Sequence, residues 1–170
     1  MKRIWLVIVT ALLLSGCATA TQSNSEYSAN DIAFAEMMIP HHEQAIEMSD
    51  IALLNTTNPA VLQLAQEIKN AQSPEIELMK SGTGVKASTH AGHMMDGMLS
   101  ESELSELRKA KGKEFDLLFL KGMIKHHEGA IKMAQEVANS MNKDVADLSS
   151  AIIQAQQLEI AKMNELLLKS

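Results

Sequence analysis

The stretch Phe34-Ala-Glu-Met-Met-Ile-Pro-His-His-Glu-Gln-Ala-Ile-Glu-Met48 returns later in the chain as Phe119-Leu-Lys-Gly-Met-Ile-Lys-His-His-Glu-Gly-Ala-Ile-Lys-Met133. In the first copy the apolar residues recur at helical spacing. Phe34, Met38, His41, Ala45, Met48 and Ala52 make one stripe, and Ala35, Ile39, His42, Ile46 and Leu53 make the adjacent one, with Glu36, Glu43, Glu47 and Asp50 opposite. The residues that follow also recur at nearly the same displacement: Ala71-Gln72 as Ala155-Gln156, Glu75-Ile76 as Glu159-Ile160, and Met79 as Met163. The repeated unit is therefore a helix hairpin. Two hairpins with one apolar face each can bury those faces only against one another, which predicts an all-α four-helix bundle.

Working outward, Asn58-Pro59 supplies an N-cap and a first helical residue for a second helix to about Lys80, bent at Pro74. Ser100 with Glu103 makes a capping box for a short helix to about Ala110. Gly112 divides that helix from a long one reaching about Ser140, and a last helix covers about Lys143 to Leu168. The repeats thus span about 31–81 and 113–168 of a bundle domain over 31–170. The crossover 82–112 is long enough for ferritin-like connectivity or for simple up-down order. Pro40 removes one helix hydrogen bond just before His41, although its counterpart, Lys125, shows that the motif requires no bend.

The first 17 residues read as a lipoprotein signal: Lys2 and Arg3, the apolar run Ile4 to Leu14, then Leu14-Ser15-Gly16-Cys17 in the manner of a lipobox. The run is too short to span a bilayer. Cys17 is the single cysteine and the expected lipidation site; 18–30, rich in Ser, Thr, Asn and Gln, is the expected tether. The protein is thus expected in the bacterial envelope, exported and lipid-anchored, facing the periplasm. The formal charge of −6 becomes more negative once Lys2 and Arg3 leave, which excludes nucleic acid as a natural partner.

All six histidines fall in close pairs, His41/His42, His90/His93 and His126/His127. Met38, His41 and Met48 share one stripe, as do Met123, His126 and Met133; His42 and His127 lie one helical step away, as ligands or as bundle-lining partners. Methionine stripes are ordinarily core filler and a lone buried histidine ordinarily pairs with a neighbour. The duplication weighs against that reading, because a core gains nothing from placing the same costly imidazoles at the same depth twice. With the one thiol committed to lipid, imidazole and thioether donors fit copper, as Cu(I) or Cu(II), or silver. An iron carboxylate centre of the ferritin type needs Glu three residues before each His, and here Met38 and Met123 occupy those positions. A second candidate site is the crossover run with His90, His93, Met94, Met95 and Met98; the alternative is that its methionines cap the open end of the bundle.

Met37 to Met48, the Gly97-Met98 turn, and Phe115-Asp116 through Phe119-Leu120 to His126-His127-Glu128-Gly129-Ala130-Ile131 resemble the CopM-like family, domain-of-unknown-function family 305. The resemblance covers about Asp31 to Ser170. It implies a ferritin-like bundle exported to the bacterial envelope, periplasmic copper binding and resistance in at least one member, and metal-facing positions at Met38, His41, His42, Met48, Met123, His126, His127 and Met133. The function expected is binding of copper or silver for sequestration, tolerance or delivery, with copper-transport or copper-resistance proteins as partners. The alternatives are a ferritin-like metal-dependent redox enzyme and an interaction protein whose His and Met are structural. No catalytic nucleophile stands out, which favours a binding protein over an enzyme.

Overall fold

The structure, a computed structural model, describes residues 26–85 and 95–169. Among these residues lie five helices: α1 (Ala29–Asn55), α2 (Pro59–Thr83), α3 (Glu101–Lys109), α4 (Gly112–Glu136) and α5 (Lys143–Lys169). No strand occurs among the described residues, and no helix there is long and apolar enough to cross a membrane.

Local chemistry sets each helix end. Ser28 and Asp31 form a reciprocal capping box that starts α1 two residues ahead of the expected Asp31. The Asn58 side chain accepts from Ala60 N, with Pro59 first in α2, and Ser100 with Glu103 caps α3. α2 ends at Gly84, whose φ of +73° is the left-handed conformation glycine reaches without a Cβ penalty. Both α1 and α2 run on through Pro40 and Pro74. α4 stops at Glu136, short of Ser140, because Val137 N and Ala138 N turn to carbonyls three residues back, Ala134 and Gln135, and tighten the chain out of the α-helix. Asn142 then accepts from Asp144 N and Val145 N to open α5.

The long helices pack as two hairpins, α1 with α2 and α4 with α5, joined face to face through α1 and α4. α1 and α4 are antiparallel: Phe34 and Met38 share a packed cluster with Ala130 and Met133, while Met48 lies beside Gly122. The order is thus up, down, down, up, and the crossover must travel the length of the bundle, which is ferritin-like connectivity. Two polar side chains of α1 fasten it. Gln44 donates to Leu99 O at 2.9 Å and accepts from Leu99 N at 2.8 Å. Asn55 donates to the carbonyls of Leu107, Arg108 and Ala110 at 2.9–3.2 Å.

The core divides into two apolar compartments. One holds Phe34, Met38, Ile39, Ile76, Met79, Ala130, Met133 and Ile152; the other holds Met48, Leu64, Ile68, Phe115, Phe119, Met123 and Met163. Burying side chains of this size stabilises the fold by about 1.5–3 kcal/mol each. Between the compartments, at the same height on all four helices, lie the polar residues.

Candidate metal site

His41, His42, His126 and His127 are each 0 % exposed and form the centre of that middle layer. The His41 and His126 rings meet across the α1–α4 interface with centroids 3.8 Å apart and planes tilted by 40°, so the pseudo-two-fold axis relating the hairpins passes between them. His42 Nε2 donates to Glu75 of α2 at 2.8 Å, and His127 Nε2 donates to Glu159 of α5 at 2.6 Å. His41 Nε2 donates to the Asp96 carbonyl at 3.2 Å. A carboxylate or a carbonyl only accepts, so in these three imidazoles the Nε2 atom carries the hydrogen. Their Nδ1 atoms are buried without a hydrogen-bond partner, and both ring nitrogens of His126 are in the same condition.

Burial, reinforced by the neighbouring His42, pushes the His41 imidazole down to about 3. Burial and the adjacent His41 hold His126 well below its usual value. Both rings are therefore neutral at any physiological pH, and neutral imidazoles are the ones that coordinate. A polar atom buried without a partner costs roughly 1–3 kcal/mol. Five such ring nitrogens lie in this one layer.

The layer has further members that inspection of the histidines alone overlooks. Gln72 of α2 and Gln156 of α5 are buried with neither amide atom hydrogen-bonded. Glu75 and Glu159 orient two of the imidazoles, and Met79 and Met163 stand one turn beyond those carboxylates. The signal for all six was the second half of the repeat, which carries them in register.

The structure sorts the eight expected positions differently from the helix-by-helix grouping. Met38 and Met48 share a stripe but are ten residues apart, about 15 Å along a helix, too far to touch one ion. Met38 instead packs in the compartment of Met79 and Met133, and Met48 in that of Met123 and Met163. Each trio takes a methionine from three helices, and the pseudo-two-fold axis exchanges the trios. Among the described residues no group of three or more His, Cys, Asp or Glu is arranged to hold a metal ion. Imidazole nitrogens, with thioethers in the flanking compartments, are the donors this part of the core offers, a set that suits a soft ion better than a hard one.

Of the second candidate set, His90, His93 and Met94 lie outside the described residues. Met95 and Met98 are half-buried on a strap, 95–99, that crosses the middle of α4 rather than the end of the bundle. Gly97 there has φ +85° and sits against Gly129 Cα and the His126 carbonyl. Lys125 donates to Met98 O, and Lys132 pairs with Asp96 at 2.7 Å. The strap covers the imidazole layer from outside.

Fold and layer define a ferritin-like four-helix bundle with a duplicated His-His core flanked by thioethers. The chain belongs to the family described as domain of unknown function DUF305, whose sequence profile matches residues 31–167. Among solved structures it is similar to a DUF305 protein from Streptomyces coelicolor described as secreted, with TM-score 0.77 and 29% identity over 82% of this chain and 93% of that one. A DUF305 fragment from Deinococcus radiodurans gives TM-score 0.77 and 26% identity over 86% and 100%. CopM in its Cu(I)-bound form gives TM-score 0.69 and 32% identity over 82% and 96%. No curated protein matches the chain.

Proposed function

We propose that this protein binds copper as Cu(I), or silver, inside the bundle, through the imidazoles of His41, His42, His126 and His127 and the thioethers around them, and that it sequesters or passes on the ion in the bacterial envelope. The observation that carries the reading is the set of bare, buried Nδ1 atoms whose opposite nitrogens are already committed to Glu75, Glu159 and Asp96. A metal-binding histidine is ordinarily held in this way, with its far N–H on a carboxylate or carbonyl. The bound ion would supply Lewis acidity and a redox couple; the chain's own part is to present neutral nitrogen and sulfur in a dry core. The similarity to CopM, which has been solved with Cu(I), Cu(II) and Ag, supports the same reading.

Export through the leader and anchoring through Cys17, outside the described residues, belong to this proposal, as does delivery to a copper-transport or copper-resistance partner. The description of the Streptomyces protein as secreted supports export. The test is metal content and competition. The purified protein, reduced and titrated against a chromophoric Cu(I) chelator, withdraws copper from it and ignores Mg²⁺, Ca²⁺ and Fe²⁺. Retention of iron with no copper uptake would replace this reading with a ferritin-like redox protein.

A further inference from the structure

We infer that a soft ion enters and leaves the core along the pseudo-two-fold axis through the seam between α2 and α5, where Gln72 and Gln156 form the door. The inference rests on the metal-binding reading above and adds the route into that site and the two side chains that control it.

The axis that relates the hairpins bisects every matched pair of residues. On one face of the bundle it passes between His41 and His126, and on the other between Gln72 of α2 and Gln156 of α5, which hold the same place in the two copies. The antiparallel register of α2 and α5 sets these glutamines opposite one another: Glu67 pairs with Lys162 on one side of them, and Leu78 shares a small cavity with Leu148 on the other. A path along the axis therefore has two mouths.

The mouths are closed in different ways. Over the α1–α4 face lies the strap 95–99, fastened by the Asp96 carbonyl to His41, by the Asp96 carboxylate to Lys132, by the paired bonds between Leu99 and Gln44, and by Gly97 seated on Gly129. Opening that face breaks all of these contacts. At the other face α2 and α5 pack most loosely of the four seams between the long helices. Gln72 and Gln156 are 1 % and 2 % exposed there, yet neither amide is hydrogen-bonded, to the other or to anything else among the described residues. Gln44 and Asn55, buried amides of α1, are by contrast each pinned by two or more bonds.

Buried polar atoms are nearly always paired, because a dry, unpaired one is costly, and leucine would fill the same space without that cost. Two long side chains that nothing pins can turn aside without breaking a bond. Their amide oxygens and N–H groups also stand in for water that an ion sheds on the way into a dry core, which a leucine plug cannot do.

The test follows Cu(I) exchange between the purified, reduced full chain and a chromophoric chelator by stopped flow, in both directions, for wild type, Gln72→Leu/Gln156→Leu and Gln72→Ala/Gln156→Ala. Leucine keeps the volume and removes the polar atoms; alanine widens the seam. The leucine pair should slow loading and release alike by about tenfold or more, at an unchanged dissociation constant, and the alanine pair should speed both. A second readout needs no metal. Diethyl pyrocarbonate, a small electrophile that reacts with neutral imidazole, should modify His42 and His127 of the metal-free wild type before His41 and His126, more slowly in the leucine pair and faster in the alanine pair, as read by peptide mass spectrometry. The wild-type order decides should a variant not fold. A folded leucine pair with unchanged exchange rates, a weakened dissociation constant at an unchanged loading rate, or first modification at His41 would each overturn the inference and leave the metal-binding reading standing. A wild type that takes up no Cu(I) would overturn both.

Discussion

Where the strap crosses α4, the Asp96 carbonyl occupies the place in which a side chain on Gly129 would begin; a Cβ there would overlap that oxygen and stand 2.9 Å from Gly97 Cα. Gly129→Ala is therefore expected to lift the strap, break the His41–Asp96 hydrogen bond and strain the paired bonds between Gln44 and Leu99. The cost should be about 1–3 kcal/mol, the usual price of forced overpacking, read as a lower melting temperature at unchanged helix content. Gly122→Ala is the control, since it meets only flexible Leu99 and Met48 methyls at 3.2–3.4 Å. Equal melting temperatures for the two variants would show that the strap is not seated as described.

The methionine trios predict which sulfur atoms matter. Met38→Leu and Met123→Leu keep volume and apolarity, so each should lose less than about 1.5 kcal/mol of stability while weakening copper binding. Met79→Leu and Met163→Leu should behave alike, because they share the compartments of the first two. His41→Gln and His126→Gln should likewise spare the fold and weaken the metal. A folded protein carrying all six changes with unaltered Cu(I) affinity would dismiss the bundle site, leaving His90, His93 and the crossover methionines.

Acid should destabilise the metal-free protein earlier than its carboxylates alone require. His41 titrates near 3 in the folded chain and His126 also well below normal, whereas both return to about 6.5 on unfolding. Below 6.5 the unfolded state therefore binds protons that the folded state refuses. The stability is whole above 6.5 and falls as pH drops toward 3, by up to about 1.4 kcal/mol per pH unit for each imidazole. Urea unfolding between pH 7 and 5 isolates this slope, since the lowered carboxyl groups of Asp31, Glu67 and Glu103 lose their contribution only at more acid pH. A flat profile in that window would mean that the two rings are not buried neutral.

Cys17→Ala should block processing or release the protein from the membrane fraction, as judged by fractionation and the mass of the mature N-terminus. A wild type that is already free, cut at another position, would end the lipoprotein proposal.

The fold was legible because helical spacing and duplication are properties of the chain read locally: Phe34 to Met48 and Phe119 to Met133 announce the same helix twice. The connectivity was not. Whether the crossover runs up or down depends on Gln44 and Asn55, which sit on the helix surface in sequence and reveal their purpose only when Leu99 and Ala110 arrive. The histidines were legible as paired residues on the inner faces of two helices, but the company of each methionine was not, because a stripe records direction around a helix and says nothing of height relative to an antiparallel neighbour. Glu75 and Glu159 were legible as members of the repeat, but not as the partners of His42 and His127, which depends on how α2 and α5 pack.

The mixed origin of the trios bears on how such a chain can be divided or inherited. The first hairpin brings Met38 and Met79 to one compartment and only Met48 to the other; the second hairpin brings the complement. Neither half owns a finished compartment. A lone hairpin of this sequence could complete its sulfur sets only by meeting a copy of itself about a two-fold axis, so the single chain has the layout of two such hairpins tethered together, the copies differing at positions such as Pro40 and Lys125.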